Sequence, residues 1–154
     1  TMERFFNTYE TQAQTYLDRD VFDGTPITGK ILSECARTTY DSTGVIVPLN
    51  LALSQAQLES GMGIRGKSPK NNPYNVGEWD RGTMWTFSNT QEGVQAYYNL
   101  IANDYLSERT IDDLLINFVN TDGYRYASRQ SYEESVSSQC SYITRWIEKY
   151  SFAV

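Results

Sequence analysis

The sequence predicts a mainly α domain with a small β-hairpin inserted after its central helix. Three observations predict it. Apolar residues recur every three or four positions in six separate stretches, the spacing of one helix face. One of these stretches, opened by Pro48, is apolar on most sides, as a helix at the centre of a domain is. Residues 61–89 then break the helical rhythm with Gly, Asn, Pro and aromatic residues, a composition suited to loops and short strands.

The elements follow in order. Phe6, Tyr9, Ala13, Tyr16 and Leu17 form the first stripe. Thr25-Pro26 reads as a cap followed by proline at the first helical position, opening a helix through Ile27, Ile31 and Cys35 toward Tyr40. Asp41 to Gly44 is a turn. The third helix starts at Pro48, with Leu49, Ala52, Leu53 and Ala56 on one face and Leu51 and Leu58 on another; Ser60-Gly61-Met62-Gly63 ends it. Tyr74 to Trp79 and Thr83 to Phe87 are expected to pair as a hairpin around Asp80-Arg81-Gly82. Asn89 with Glu92, or Ser88 with Gln91, reads as a capping box before the stripe Val94, Tyr97, Tyr98, Ile101 and Tyr105. Thr110 caps a helix with Ile111, Leu114, Leu115, Phe118 and Val119 inward. Ser131 with Glu134 is a further capping box, opening a last helix with Val136, Cys140, Ile143 and Ile147 in line. A chain of 154 residues with no internal repeat reads as one domain, residues 1–154, large enough to bury its own core.

Composition narrows the chemistry. The net charge of −6 lacks the basic excess of a nucleic-acid binder, and no apolar run approaches the roughly 20 residues of a membrane span, so neither nucleic acid nor membrane is an expected partner. Thr1 to Phe6 has no apolar core of a signal peptide. The sequence contains no His, which removes Ser-His-Asp and Cys-His pairs and every His-ligated metal. Cys35 and Cys140 are too few for a structural zinc site; a disulfide and two buried thiols both stay open. No cofactor or metal is expected. Any catalysis falls to carboxylates, hydroxyls, amides or the 12 tyrosines, whose flat apolar rings with polar tips suit sugar clefts as well as mixed cores.

Glu59 is the leading candidate. It stands at the tail of the buried helix, where the helix dipole disfavours a carboxylate, and Leu58 and Met62 desolvate it. Both effects raise a carboxyl pKa, and a general acid needs a raised value to stay protonated near neutral pH. A solvated glutamate near a helix end is the plain alternative.

The surrounding residues carry a resemblance. Ala56-Gln57-Leu58-Glu59-Ser60-Gly61-Met62-Gly63 resembles the Q-x-x-x-E-S-G-x-G segment of bacterial and phage peptidoglycan hydrolases, above all the glucosaminidases of glycoside hydrolase family 73 within the lysozyme-like superfamily. Ser68-Pro69-Lys70-Asn71-Asn72-Pro73-Tyr74-Asn75-Val76-Gly77 resembles that family's S-x-N-N-L-F-G-I segment. Tyr126-Ala127-Ser128 with Tyr132 resembles its Y-A-T-D-P-x-Y signature, with the same step between the tyrosines. The matched pieces span residues 45 to 145, and the first 40 residues match only as a helical prefix.

The resemblance implies an α+β lysozyme-like fold and a glycosidase that cleaves β-1,4 bonds of the peptidoglycan glycan strand. N-acetylglucosaminidase action is favoured over muramidase or lytic transglycosylase action. Glu59 takes the place of the catalytic acid, and Tyr126 that of a tyrosine supporting the transition state or the acetamido group. Asn71 and Asn72 match the cleft floor, where their amides bind sugar hydroxyls or hold the loop. Tyr74, Trp79, Trp85 and Tyr132 are the expected substrate-binding aromatics, with Tyr97 or Tyr98 as further candidates that helical spacing assigns rather to the core. Many members carry a second glutamate on the hairpin strand, and Thr83 to Phe87 has no acid. Glu78 is the expected second carboxylate, ahead of Asp80. Retaining glycosidases need the two groups about 5 Å apart and inverting ones about 6.5–9.5 Å. Without it, the substrate's own acetamido group, or Glu59 acting first as acid and then as base, completes the reaction. Arg65, Lys67, Lys70 and Arg81 near the site are surface residues or contacts for acidic stem peptides. The implied setting is a phage virion or tail, with other virion or tail proteins as partners, or secretion to the cell wall in the periplasm. A catalytically inactive structural component of a phage particle on the same fold is the competing reading, and a sugar-binding module is a third.

Overall fold

The computed structural model describes residues 1–77 and 85–151. The chain is mainly helical, with α1 (Met2–Leu17), α2 (Gly29–Thr43), α3 (Leu49–Ser60), α4 (Thr90–Leu100), α5 (Ile111–Ile116) and α6 (Tyr132–Tyr150). A single 3₁₀ turn, Asp20–Phe22, follows α1, and a wide π-type turn, Ile101–Tyr105, continues α4. Every residue of the Val94, Tyr97, Tyr98, Ile101 and Tyr105 stripe is buried.

Several boundaries and caps differ from the sequence expectation; α2 runs on to Thr43, through the expected turn from Asp41, and closes on left-handed Gly44. α2 is capped by Thr28, whose hydroxyl accepts from the Ile31 N–H, and not by Thr25. The Thr25 hydroxyl is used elsewhere, donating to the Met62 carbonyl at 2.6 Å. α5 stops at Ile116, short of Phe118 and Val119. The Arg109 guanidinium takes up the Asn117 and Val119 carbonyls there, at 2.9 and 2.6 Å, supplying partners that another helical turn would have supplied. Ser131 precedes α6 without a side-chain capping bond. The Asn89 cap holds: its side chain accepts from the Glu92 N–H, while Glu92 reaches back to the Ser88 N–H.

The expected hairpin is not seen among the described residues. Its turn, the end of its first strand (Glu78 and Trp79) and the start of its second (Thr83 and Met84) lie outside them. Its flanks, residues 74–77 and 85–87, are not strands and share one backbone bond, Trp85 N–H to the Val76 carbonyl at 3.3 Å. The only bridge of β type among the described residues joins Val119 and Arg125.

α1 packs along α2, α2 along α4, and α3 along α6, with α1 also touching α3 and α6. α3 is thereby enclosed: Leu51 through Ala56 are all buried. Burial of this continuous apolar surface is the main stabilising term of the fold. The helix emerges at Asn50 and again in its last turn, where Gln57, Leu58 and Glu59 are half-buried. Cys35 and Cys140 are free thiols in the core. No helix among the described residues is long and apolar enough to cross a membrane.

Candidate active site

The end of α3 is fixed by the residue after Glu59. Gly61 adopts the left-handed conformation (φ 56°) that closes the helix, and Met62 and Gly63 continue it. The buried Ser60 hydroxyl donates to the Pro73 carbonyl at 2.6 Å and accepts from the Gly63 N–H at 2.8 Å. One hydroxyl thus ties the helix end to both the turn that follows and the Asn-rich loop. Successive helix residues point about 100° apart, so this tether goes inward while the neighbouring glutamate faces outward.

The loop that Ser60 holds is itself held by its asparagines. Asn72 is buried; its Nδ2 donates to the Val76 and Trp85 carbonyls at 2.7 and 2.8 Å, and its Oδ1 accepts from the Val76 N–H at 2.9 Å. Asn71 donates to the Phe87 carbonyl at 2.8 Å. Both expected cleft amides are therefore occupied with backbone. Asn75, in left-handed conformation (φ 56°), turns its Nδ2 onto Glu59, 3.1 Å from Oε1 and 3.2 Å from the main-chain carbonyl.

From the other side comes the segment before α6. Arg125 donates to both Glu133 oxygens at 2.7 and 2.6 Å and to the carbonyls of Ala127 and Arg129. The Arg125 guanidinium and the Phe118 N–H hold the Glu133 carboxyl down at about 2. This clamp shapes the turn that delivers Tyr126, Arg129 and Tyr132. The Tyr132 hydroxyl lies 3.4 Å from Glu59 Oε2 and accepts from Gln55 Nε2 at 2.9 Å. Tyr126 is half-buried and stacks on the Tyr132 ring, with 5.6 Å between centroids and 16° between planes. The Arg129 guanidinium lies 6.0 Å from the centre of the Tyr132 ring.

Glu59 therefore meets a donor at each carboxylate oxygen. Burial raises its pKa above the ordinary value, while the hydrogen bonds from Asn75 and Tyr132 and the charge of Arg129 pull the other way. The net direction is upward. A half-buried carboxyl with a raised pKa and a fixed orientation keeps its proton to higher pH than a solvated one and can deliver it to one place.

The remaining expected site residues are distributed as follows. Tyr74 does not line a surface: it is fully buried, donates to the Ala52 carbonyl at 2.9 Å, and stacks on Tyr97 at 3.6 Å. This corrects its assignment as a substrate-binding ring, because its face is already covered; Tyr132, buried between Phe118 and Tyr126, is corrected on the same ground. Tyr97 and Tyr98 are likewise fully buried. Trp85 is 52% exposed, the most open of the expected aromatics among the described residues. Glu78, Trp79, Asp80 and Arg81 lie outside the described residues. Arg65, Lys67 and Lys70 are exposed. Among the described residues, no three Cys, Asp or Glu side chains gather into a metal-binding set. Two concavities, of about 450 and 570 Å³, lie along α1 and between Ile31 and the start of α4; neither includes Glu59.

Sequence reasoning missed Gln55, Asn75 and the Arg125–Glu133 clamp. Gln55 had a signal: it stands one turn before Glu59 on the same helix face. Asn75 had a weaker one, a polar residue three places after Asn72 in the loop. The clamp had none, since it joins residues eight apart through a turn that is not helical. No protein-family model, no curated protein and no solved structure matches the chain.

Proposed function

We propose that this chain is a glycosidase cleaving β-1,4 bonds of the peptidoglycan glycan strand, with Glu59 as general acid and N-acetylglucosaminidase action favoured over muramidase or lytic transglycosylase action. The observation that carries the reading is the setting of Glu59: a half-buried carboxyl at a helix end, its pKa raised by burial, gripped by Asn75 and Tyr132. In this reading the Glu59 proton passes to the glycosidic oxygen as the bond to the anomeric carbon breaks. The acid then returns as base toward the incoming water or, in the transglycosylase variant, toward a sugar hydroxyl. Glu78 is the proposed second carboxylate, and the substrate acetamido oxygen the proposed substitute if another acid is not used. Tyr126 contributes through the ring it stacks on Tyr132, and Trp85 and Trp79 through stacking on sugar rings. The chemistry uses no cofactor. The proposed setting is a phage virion or tail, or the cell wall reached by secretion.

The competing reading, an inactive structural component of a phage particle, draws on one observation. Asn71, Asn72 and Tyr74 are committed to internal contacts, as a scaffold would have them. Digestion of purified peptidoglycan decides between the two, with products read by mass spectrometry. The glycosidase reading expects muropeptides from the wild type and none above background from Glu59→Gln. The reducing end of the product then names the bond. No product from several wall types, with the wild type folded, favours the structural reading.

A further inference from the structure

Glu59 is the second polar side chain on its face of α3. Gln55 precedes it by one helical turn and is completely enclosed. A buried amide is unfavourable unless its oxygen and nitrogen both find partners. Here both do. Gln55 Oε1 accepts from the Tyr97 hydroxyl, and Nε2 donates to the Tyr132 hydroxyl. The amide has one favourable way round. Among the described residues the Tyr97 hydroxyl bonds only to Gln55, so reversing the amide would set N–H against it and leave a buried O–H proton without an acceptor. The Tyr132 oxygen thus receives a hydrogen bond from Gln55, and its own proton turns to its other neighbour, Glu59 Oε2.

We propose that Gln55 is a positioning residue for Glu59: by giving its side-chain N–H to Tyr132, it directs the Tyr132 hydroxyl onto the carboxylate. The role rests on Glu59 being the working acid, as proposed above. A four-member chain, Tyr97 to Gln55 to Tyr132 to Glu59, runs in one direction from the core to the site. Successive donors in such a chain polarise one another, so the bond from Gln55 strengthens the donor that Tyr132 offers Glu59 across 3.4 Å. Asn75 supplies the opposing donor at Oε1, and the other titratable or charged groups that act on Glu59 among the described residues are Arg129 and Tyr126. Neither of them touches Gln55 through a hydrogen bond, so the chain is an independent control on the carboxylate.

The test titrates the Glu59 side-chain carboxyl by carbon-13 NMR in the full chain. It needs no turnover. Gln55→Met keeps the length of the side chain and removes the amide. The Glu59 midpoint is expected to rise by about half a pH unit, because the charged form loses part of its donor. In a Tyr132→Phe background the same substitution is expected to leave the midpoint unmoved. A midpoint unmoved by Gln55→Met, or one that rises equally in both backgrounds, overturns the proposal. If Gln55→Met does not fold, Gln55→Glu keeps shape and accepts from both tyrosines, turning the Tyr132 proton away from Glu59. Its upward shift is expected to be larger with Tyr132 present than in the Tyr132→Phe background, and equal shifts overturn the proposal. Absence of glycan cleavage by the wild type would instead overturn the glycosidase reading, since the titration reads the carboxyl directly.

Discussion

Alanine in place of a helical glycine ordinarily gains up to about 1 kcal/mol. At Gly93, in the first turns of α4, the sign is expected to reverse. The added methyl would lie 1.9 Å from the Asn71 carbonyl oxygen, 3.0 Å from its carbon and 3.3 Å from the Phe87 ring. The oxygen is backbone, in a loop pinned by the Asn71 amide to the Phe87 carbonyl. It must retreat by on the order of 1 Å to reach tolerable contact. Overpacking costs about 1–3 kcal/mol, and an approach this close to a backbone atom lies at the upper end, so Gly93→Ala is expected to lose about 2 kcal/mol net. The effect extends to the site. The displaced loop carries Asn75, whose bonds to Glu59, at 3.1 and 3.2 Å, are already near the long end for hydrogen bonds. On the proposed glycosidase reading, a misplacement of about 1 Å lowers turnover by on the order of 100-fold. The assays are urea unfolding and peptidoglycan turnover on the same preparations. A variant as stable as the wild type with unchanged turnover refutes both the close approach and the link from α4 to Glu59.

Two further outcomes are expected. Asn75→Gly keeps the left-handed backbone and removes a donor to the charged form of Glu59, so the Glu59 pKa rises; with Glu59 as the proposed general acid, which works only when protonated, the basic limb of the kcat/KM–pH profile moves to higher pH. A limb that stays in place or moves to lower pH counts against the role of Asn75. The second concerns Glu133, held at about 2 in the fold against an ordinary 4.5. Its folded pKa is depressed, so its contribution to stability is present above about 4.5 and is lost as the pH falls toward about 2. Glu133→Gln is expected to lower the unfolding midpoint at pH 6 and to flatten its fall below pH 4.5; a profile parallel to that of the wild type would mean the clamp adds nothing.

Much of the fold was legible because helical spacing is local information. The six stripes became six helices, and the all-round apolar stretch after Pro48 became the enclosed α3. What the sequence misplaced was decided by contacts between distant residues. Thr25 looks like a cap until Met62 claims its hydroxyl. Tyr74 looks like a cleft aromatic until Tyr97, from another helix, covers its face. At the site, Tyr132, expected as a sugar-binding ring, instead bonds to Glu59, and the two loop asparagines turn to backbone. Gln55 was hidden by its type: a glutamine amid leucines and alanines reads as a solvent-facing position, and only its two tyrosine partners reveal it as core.

The setting of Glu59 is assembled from chain segments far apart in sequence. Asn75 follows it closely, but Tyr132 belongs to the last helix, 73 residues on. Closing so long a loop is slow compared with forming a helix. During synthesis, α3 and the asparagine loop leave the ribosome well before α6 does. Until α6 docks, the glutamate has one donor where it later has two, and α3 lacks the partner that encloses it. Glu59 reaches its final proton affinity only when α6 is in place, which makes the docking of α6 the step that completes the proposed site.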